Sequence, residues 1–439
     1  MQLSGAAALQ EGRNERINIL LITADNLGYG DIGCFGNRVI RTPNLDRFAR
    51  QGVRFTNFYT ASPTCTASRA ALLTGRHPIR YGLNYQLSVE ENQRGVGLPH
   101  SERLIPQYLK PHGYATACFG KWNLGFAPGS RPTERGFDEF LGHRSGNMDY
   151  YTHLYNGQPD LYRGTEPVSL QGSYSTDLFA DSACDFLRRH AKQPFFLYLP
   201  FNAPHYPNPR NLRPGEKLEW QTPAKYLRQY GYPTQEPDQK KRYHAVVTAV
   251  DDAFGRVVRQ LDDLGLASNT LVIFYSDNGA FMTAGHGLEV ASNAPLRDGG
   301  ATCWEGGIRV PGMVRWPRRI PAGRTCAELL SSLDLLPLIL SVSGATAPKN
   351  VALDGRDPVT VLEGKRRSLH EVLCFEYRRY QAVRSNIWKL LRVGADQQWQ
   401  LFNLERDIGE TADVAKQHPD VARRLAAEFE TWRKAAGSG

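Results

Sequence analysis

Four apolar runs limit what this chain can fold into. Ile17–Thr23, Tyr114–Phe119, Phe195–Leu199 and Thr270–Tyr275 are each almost uninterrupted stretches of apolar residues. A strand with one face in water alternates apolar and polar side chains. An unbroken apolar strand is buried on both faces, as in a parallel sheet covered by helices. Helical periodicity lies between the runs. Tyr174–Ala191 gathers Leu178, Phe179, Ala183, Phe186 and Leu187 on one side, and Tyr243–Leu264 does the same with Val246, Val250, Phe254, Val257, Val258 and Leu261. Thr42-Pro43 opens a further helix that Gly52 stops. Leu104–His112 and Leu329–Leu340 read as helices, and Val53–Tyr59 reads as one more strand. The alternation predicts an α/β fold with a large, mostly parallel central sheet.

That pattern fades at Ser341–Arg356, a small, polar, breaker-rich stretch, which predicts a division into domains 1–345 and 346–439. The second part offers short strands at Glu371–Phe375, Tyr380–Val383, Trp388–Val393 and Trp399–Asn403, then a helix at Pro419–Ala436. Those imply a small antiparallel sheet with helical cover, an α+β subdomain. Asn208–Lys241, rich in Pro, Tyr and charge, reads as a long loop over a pocket. No run is long enough to span a membrane, and Met1–Glu15 carries no apolar segment of the kind a signal peptide needs. The formal charge of +9 suits an acidic ligand. It is spread along the chain with no Lys/Arg block, so it gives no case for nucleic acid. Seven cysteines are scattered without a Cys-x-x-Cys pair, which suggests neither a zinc site nor a disulfide framework.

Polar residues follow each apolar run: Asp25, Lys121, His205 and Asp277. In open α/β sheets ligands bind beyond the carboxyl ends of the strands, so these distant residues are expected at one edge. Asp25-Asn26 and Asp277-Asn278, each with glycine close behind, suit a hard cation, although an Asx turn uses the same residues. Cys65 stands among hydroxyl residues just before the apolar helical start Ala70–Leu73. A buried structural cysteine is the plainer reading. The positive field of a helix N-terminus would instead favour an anion there, and Arg69 adds a planar donor fork for an oxyanion. Together these residues describe a cation-assisted site for ester hydrolysis at sulfur or phosphorus.

The run Cys65-Thr66-Ala67-Ser68-Arg69, continued by Ala70-Ala71-Leu72-Leu73-Thr74-Gly75-Arg76, closely resembles the signature of type I sulfatases. Gly120-Lys121-Trp122-Asn123-Leu124-Gly125, Gly136–Gly142, Pro295–Pro311, Trp388-Lys389-Leu390 and Leu401–Leu404 resemble further landmarks of that family. The resemblance is nearest to bacterial arylsulfatases and N-acetylgalactosamine-6-sulfatase-like exo-sulfatases. It implies an alkaline-phosphatase-like sandwich that hydrolyses a sulfate monoester on a sulfated carbohydrate or an aryl sulfate. It implies that a maturation enzyme oxidises Cys65 to formylglycine, the nucleophile. Calcium would be held by Asp25, Asn26, Asp277, Asn278 and the modified residue 65. Arg69 and Lys121 would neutralise the sulfate, and His205 would protonate the leaving oxygen. His143 and His153 fall in a segment that borders the substrate in relatives. A bacterial periplasmic or secreted location is implied, with the cytoplasm an alternative; a homo-oligomer is compatible with the sequence.

Three positions depart from the family pattern: Asn26 stands for an acidic residue, Asn123 for a histidine and Gly300 for a sulfate-binding lysine. They lead to an expectation of slow turnover, with sulfate release as the step most affected. They also keep two other readings in view, a non-catalytic binder of sulfated glycans and a phosphoester or phosphonate hydrolase of the same superfamily.

Overall fold

The computed structural model describes residues 16–437, apart from 89, 92–93, 207, 209–210, 212–218 and 283–289. Its centre is a ten-stranded sheet. From one edge to the other the strands are Arg324–Cys326, Val53–Phe55, Gly312–Arg315, Thr270–Ser276, Asn18–Ala24, Phe195–Pro200, Ala115–Lys121, Glu139–His143, Leu161–Arg163 and Glu166–Pro167. The five central strands, Thr270–Ser276 through Glu139–His143, run parallel. Antiparallel pairs flank them on both sides.

The unbroken apolar runs are explained by two-sided burial. In Asn18–Ala24, Leu20 and Ile22 pack into one core with Phe48, Phe179, Phe186, Val250 and Phe254 of three covering helices. Ile19 and Leu21 pack into a second core with Leu72, Leu73, Leu336 and Ile339 on the opposite face. Each such side chain, fully buried, contributes roughly 1.5–3 kcal/mol.

The helix Cys65–Thr74 is buried along its whole length. It ends at Gly75 (φ 64°), whose N–H bonds to Ala71 O at 2.8 Å. A Cβ there would come within 2.8 Å of Leu336, so both the dihedral and the contact require glycine.

Several boundaries differ from expectation. Val53–Tyr59 is two short strands, Val53–Phe55 and Phe58–Tyr59, in different sheets. The strand expected to end at Phe119 continues through Lys121, which is therefore fixed by sheet pairing. The long helix begins at Gln239, because Asp238 accepts from Lys240 N and Lys241 N as its cap. The expected loop 208–241 holds a helical turn at Ala224–Arg228; much of its first half lies outside the described residues. Leu329–Leu340 starts as a strand, Leu330–Ser331, and becomes helical only at Leu335–Ser343.

The C-terminal part is a four-stranded antiparallel sheet, Leu373–Tyr377, Tyr380–Ser385, Trp388–Val393 and Gln400–Asn403. The helix Pro419–Gly437 covers one face through Leu425 and Phe429. The other face packs on Tyr59, Cys303, Trp304 and Ile308. Buried charge fastens that junction. Lys389 Nζ lies 2.9 Å from Glu305 and 3.4 Å from Glu410, and none of the three side chains is exposed. Tyr59 donates to Glu305 at 2.7 Å and accepts from Arg384 at 2.7 Å. Replacing Lys389 with methionine leaves the buried Glu410 without its cation and, among the described residues, Glu305 paired with Arg309 alone, at 3.4 Å. A loss of ~3–5 kcal/mol in chemical denaturation is expected; a loss below ~1 kcal/mol would show that the junction does not depend on this pairing.

All seven cysteines are unpaired. Among the described residues no helix is long and apolar enough to cross a membrane.

Candidate active site

The polar residues that follow the apolar runs meet at the carboxyl edge of the parallel sheet. Ala24 pairs with Ser276 in register. Asp277 N then bonds to Ala24 O at 3.0 Å, and Asp25 N bonds to Ala203 O at 3.1 Å, carrying the pairing past the strand ends. Asp25, Asp277 and the loop leading to His205 are thereby fixed side by side by backbone.

Cys65 is the first residue of its helix, and its thiol points at this edge. Its Sγ donates to Asp25 Oδ1 at 3.4 Å and lies 3.7 Å from Asn26 Oδ1. One ligand atom from each of Asp25, Cys65 and His205 lies within 4.8 Å of the others. The plain reading of Cys65 as an apolar-core residue is therefore replaced. Burial, and then the charge of Asp25, push the thiol well above its ordinary range. The helix field does not outweigh a neighbouring carboxylate.

Lys121 Nζ contacts Asp25 Oδ2 at 2.6 Å, with neither side chain exposed. Asp25 holds the lysine charged against the desolvation that would neutralise it. Arg69 pairs with Asp277 Oδ2 at 2.7 Å and donates to Lys121 O at 3.0 Å and Tyr198 OH at 3.3 Å. Most of its fork is thus committed to protein groups: Nη1 donates twice, Nη2 is held by the Asp277 ion pair, and Nε has neither kind of partner. Arg69 positions Asp277 at least as much as it offers charge to an anion.

His205 is buried, and its Nδ1 lies 2.9 Å from Tyr206 O. A carbonyl only accepts, so Nδ1 carries the proton. Burial, and then Lys121, lower the ring to about 3. The ring is neutral at pH 7 with Nε2 bare, so it must gain a proton before it can give one. Tyr150 OH fixes the loop by donating to His205 O at 2.6 Å.

Asn123 has a positive φ of 55°, which asparagine tolerates. Its Oδ1 accepts from Thr66 Oγ1 at 3.0 Å and from Gln86 Nε2 at 2.9 Å. It latches the residue after Cys65 and is not a free base. Gly300 sits in a loop tied to the Cys65 segment by Ala301 N and Pro63 O at 2.9 Å. A Cβ at Gly300 would lie 2.8 Å from Gly279 O and 3.0 Å from the Phe281 ring, so a larger side chain requires Phe281 to move.

Of the two histidines expected near the substrate, His143 is fully buried in register with Lys121, while His153 turns Nε2 to Ser173 O at 3.0 Å. Gln86 was not legible as a site residue, since nothing in its local sequence distinguishes it from an ordinary loop residue; Thr66 and Tyr150 lie in runs that resemble the family, but neither had a legible role of its own.

The residues suit a hard cation. Lys121 and Arg69 each occupy one oxygen of a carboxylate; of the other two, Asp25 Oδ1 faces the Cys65 thiol and Asp277 Oδ1 accepts only from Asn26 N, at 3.2 Å. Asn278 Nδ2 donates to Asn26 Oδ1 at 2.5 Å, and the buried Asn278 Oδ1 has no hydrogen-bond partner. Oxygen donors from two carboxylates and two amides are a calcium-type set.

Residues 17–345 match the family model described as sulfatase, and residues 301–435 match that of the C-terminal part of N-sulphoglucosamine sulphohydrolase. N-acetylgalactosamine-6-sulfatase of Rattus norvegicus is 34% identical over 90% of this chain and 77% of its own length. The crystal structure of Ps i-CgsB in complex with k-i-k-neocarrahexaose superposes with a TM-score of 0.84 at 33% identity, covering 95% of this chain and 93% of its own. The PsFucS1 sulfatase from Pseudoalteromonas sp. gives a TM-score of 0.80 at 28% identity, covering 96% and 90%. A signature cysteine facing two oxygen-rich strand ends, on a fold shared with these proteins along nearly its whole length, makes this chain a member of the sulfatase family, the sulfuric ester hydrolases of the alkaline-phosphatase-like superfamily.

Proposed function

We propose that this protein hydrolyses sulfate monoesters on sulfated carbohydrates, with residue 65 acting as formylglycine after conversion by a maturation enzyme. The observation that carries the reading is the placement of Cys65 Sγ at 3.4 Å and 3.7 Å from Asp25 and Asn26. The names of a 34% identical N-acetylgalactosamine-6-sulfatase and of a 33% identical structure bound to a carrahexaose support a sulfated sugar as substrate.

Asp25, Asn26, Asp277 and Asn278 would hold calcium through side-chain oxygens. Calcium supplies positive charge to the sulfate oxygens, and formylglycine supplies a nucleophilic oxygen. Lys121 pairs with Asp25 at 2.6 Å and adds charge close to the nucleophile. Arg69 holds Asp277 in place. His205 carries a proton on Nε2 to the leaving oxygen, and the negative charge of a bound sulfate, opposing Lys121, raises the ring's hold on that proton.

Asn26, Asn123 and Gly300 slow turnover in this reading. Loss of one charged oxyanion contact lowers a rate by ~10²–10³, and loss of acid–base help by ~10²–10⁴. Asn123 Oδ1, already accepting two hydrogen bonds, takes no proton during sulfate release. Rapid mixing of the converted protein with 4-nitrophenyl sulfate should give a burst of nitrophenol ahead of free sulfate. Nitrophenol and sulfate appearing together, at an ordinary sulfatase rate, would remove the case for impairment. Hydrolysis of 4-nitrophenyl phosphate in preference to the sulfate would overturn the substrate assignment.

A further inference from the structure

The C-terminal sheet approaches the Cys65 segment at Tyr377. Its first strand ends at Tyr377, whose ring is buried and whose phenol interacts with the side chains of Thr64 and Arg378. Thr64 is the residue before Cys65 and caps its helix. The strand is pinned there by Asn84 Nδ2, which donates to Glu376 O at 2.6 Å. Asn84 stands two residues before Gln86, the partner of Asn123.

Tyr377 pairs with Tyr380 across a two-residue hairpin turn made of Arg378 and Arg379. Both arginines are exposed, and among the described residues neither takes part in an ion pair. The Arg378 guanidinium carbon lies 5.4 Å from the centre of the Tyr377 ring, so this cation lies back toward the Cys65 helix. Arg378 has a φ of 51°, at the first central position of the turn, where glycine is the unstrained choice. Two neighbouring exposed cations, one on a position unsuited to a side chain, directly follow the tyrosine that contacts Thr64, next to a site whose own charges are internally paired.

We propose that Arg378, with Arg379 beside it, is a specificity contact for a second anionic group, a sulfate or carboxylate, on the same glycan whose sulfate ester is cleaved. Lys121 and Arg69 are buried and serve the reacting centre; Arg378 is exposed and hydrogen-bonds the Tyr377 phenol, which also bonds Thr64 beside Cys65. A planar guanidinium fork suits either oxyanion. The inference rests on the proposed sulfated-carbohydrate reading.

The test uses the converted, full-length protein with two probes, 4-nitrophenyl sulfate and a carrageenan hexasaccharide carrying several sulfates. Arg378→Ala should raise KM for the hexasaccharide roughly tenfold while KM for 4-nitrophenyl sulfate stays within about twofold. Arg378→Lys should recover part of the loss, and the hexasaccharide affinity of Arg378→Ala should fall less steeply with salt. Equal weakening toward both probes, or no change toward either, would overturn the inference. If wild-type protein cleaves neither ester, the hydrolase reading fails by itself. Calorimetric titration of the hexasaccharide then decides: a roughly tenfold weaker Kd for Arg378→Ala upholds the contact, and an unchanged Kd or no binding by wild type overturns it.

Discussion

Replacing Cys65 with alanine is expected to lower sulfate-ester hydrolysis by at least ~10⁴-fold, the scale of removing a catalytic nucleophile. The thiol faces Asp25 and Asn26 and fills little volume, so the fold should barely respond. A stability change of ~1 kcal/mol or less is expected from so small a truncation. The measurement pairs a turnover assay on co-matured protein with a denaturation curve. Activity above a tenth of wild type would show that hydrolysis does not pass through residue 65. Loss of activity together with gross unfolding would return Cys65 to a structural role.

The second large effect is expected for Lys121→Met. Lys121 and Asp25 are both fully buried and 2.6 Å apart. Methionine keeps the length of the side chain and removes the charge, which strands Asp25 in an interior that opposes ionisation. Breaking one partner of a buried pair destabilises by ~3–5 kcal/mol. Turnover should fall by ~10²–10³ through the lost charge beside the reacting sulfate. Bound calcium offsets part of the first effect, because it too neutralises Asp25. The melting temperature of Lys121→Met should therefore rise more on calcium addition than that of wild type. Equal calcium responses would mean that Asp25 is not a ligand.

What the sequence made legible follows from how each feature is encoded. The central strands were readable because two-sided burial writes itself as an unbroken apolar run, and the long helices because one-sided burial leaves a 3.6-residue rhythm. Asp25, Lys121, His205 and Asp277 were readable because each follows such a run. The start of the long helix was missed although Asp238 was present, since its cap is recognisable only once the backbone has turned. The protonation of the site was not legible at all. The positive helix field at Cys65 was read from local sequence and the acid role of His205 from the family resemblance, yet both groups answer to neighbours remote in the chain: Asp25 stands forty residues before Cys65, and Lys121 far from His205. Gln86 and Tyr377 belong to the same class, side chains that matter only through contacts made by folding.

The account turns on whether side-chain oxygens from two strand ends hold an ion beside residue 65. Crystals of the converted protein grown with calcium, with anomalous data collected to place the metal, address this directly. One ion is expected within ~2.3–2.6 Å of oxygens from Asp25, Asn26, Asp277 and Asn278, with the oxidised side chain of residue 65 completing its shell. Calcium absent from that position at saturating concentration, or bound with residue 65 turned away from it, would contradict the account.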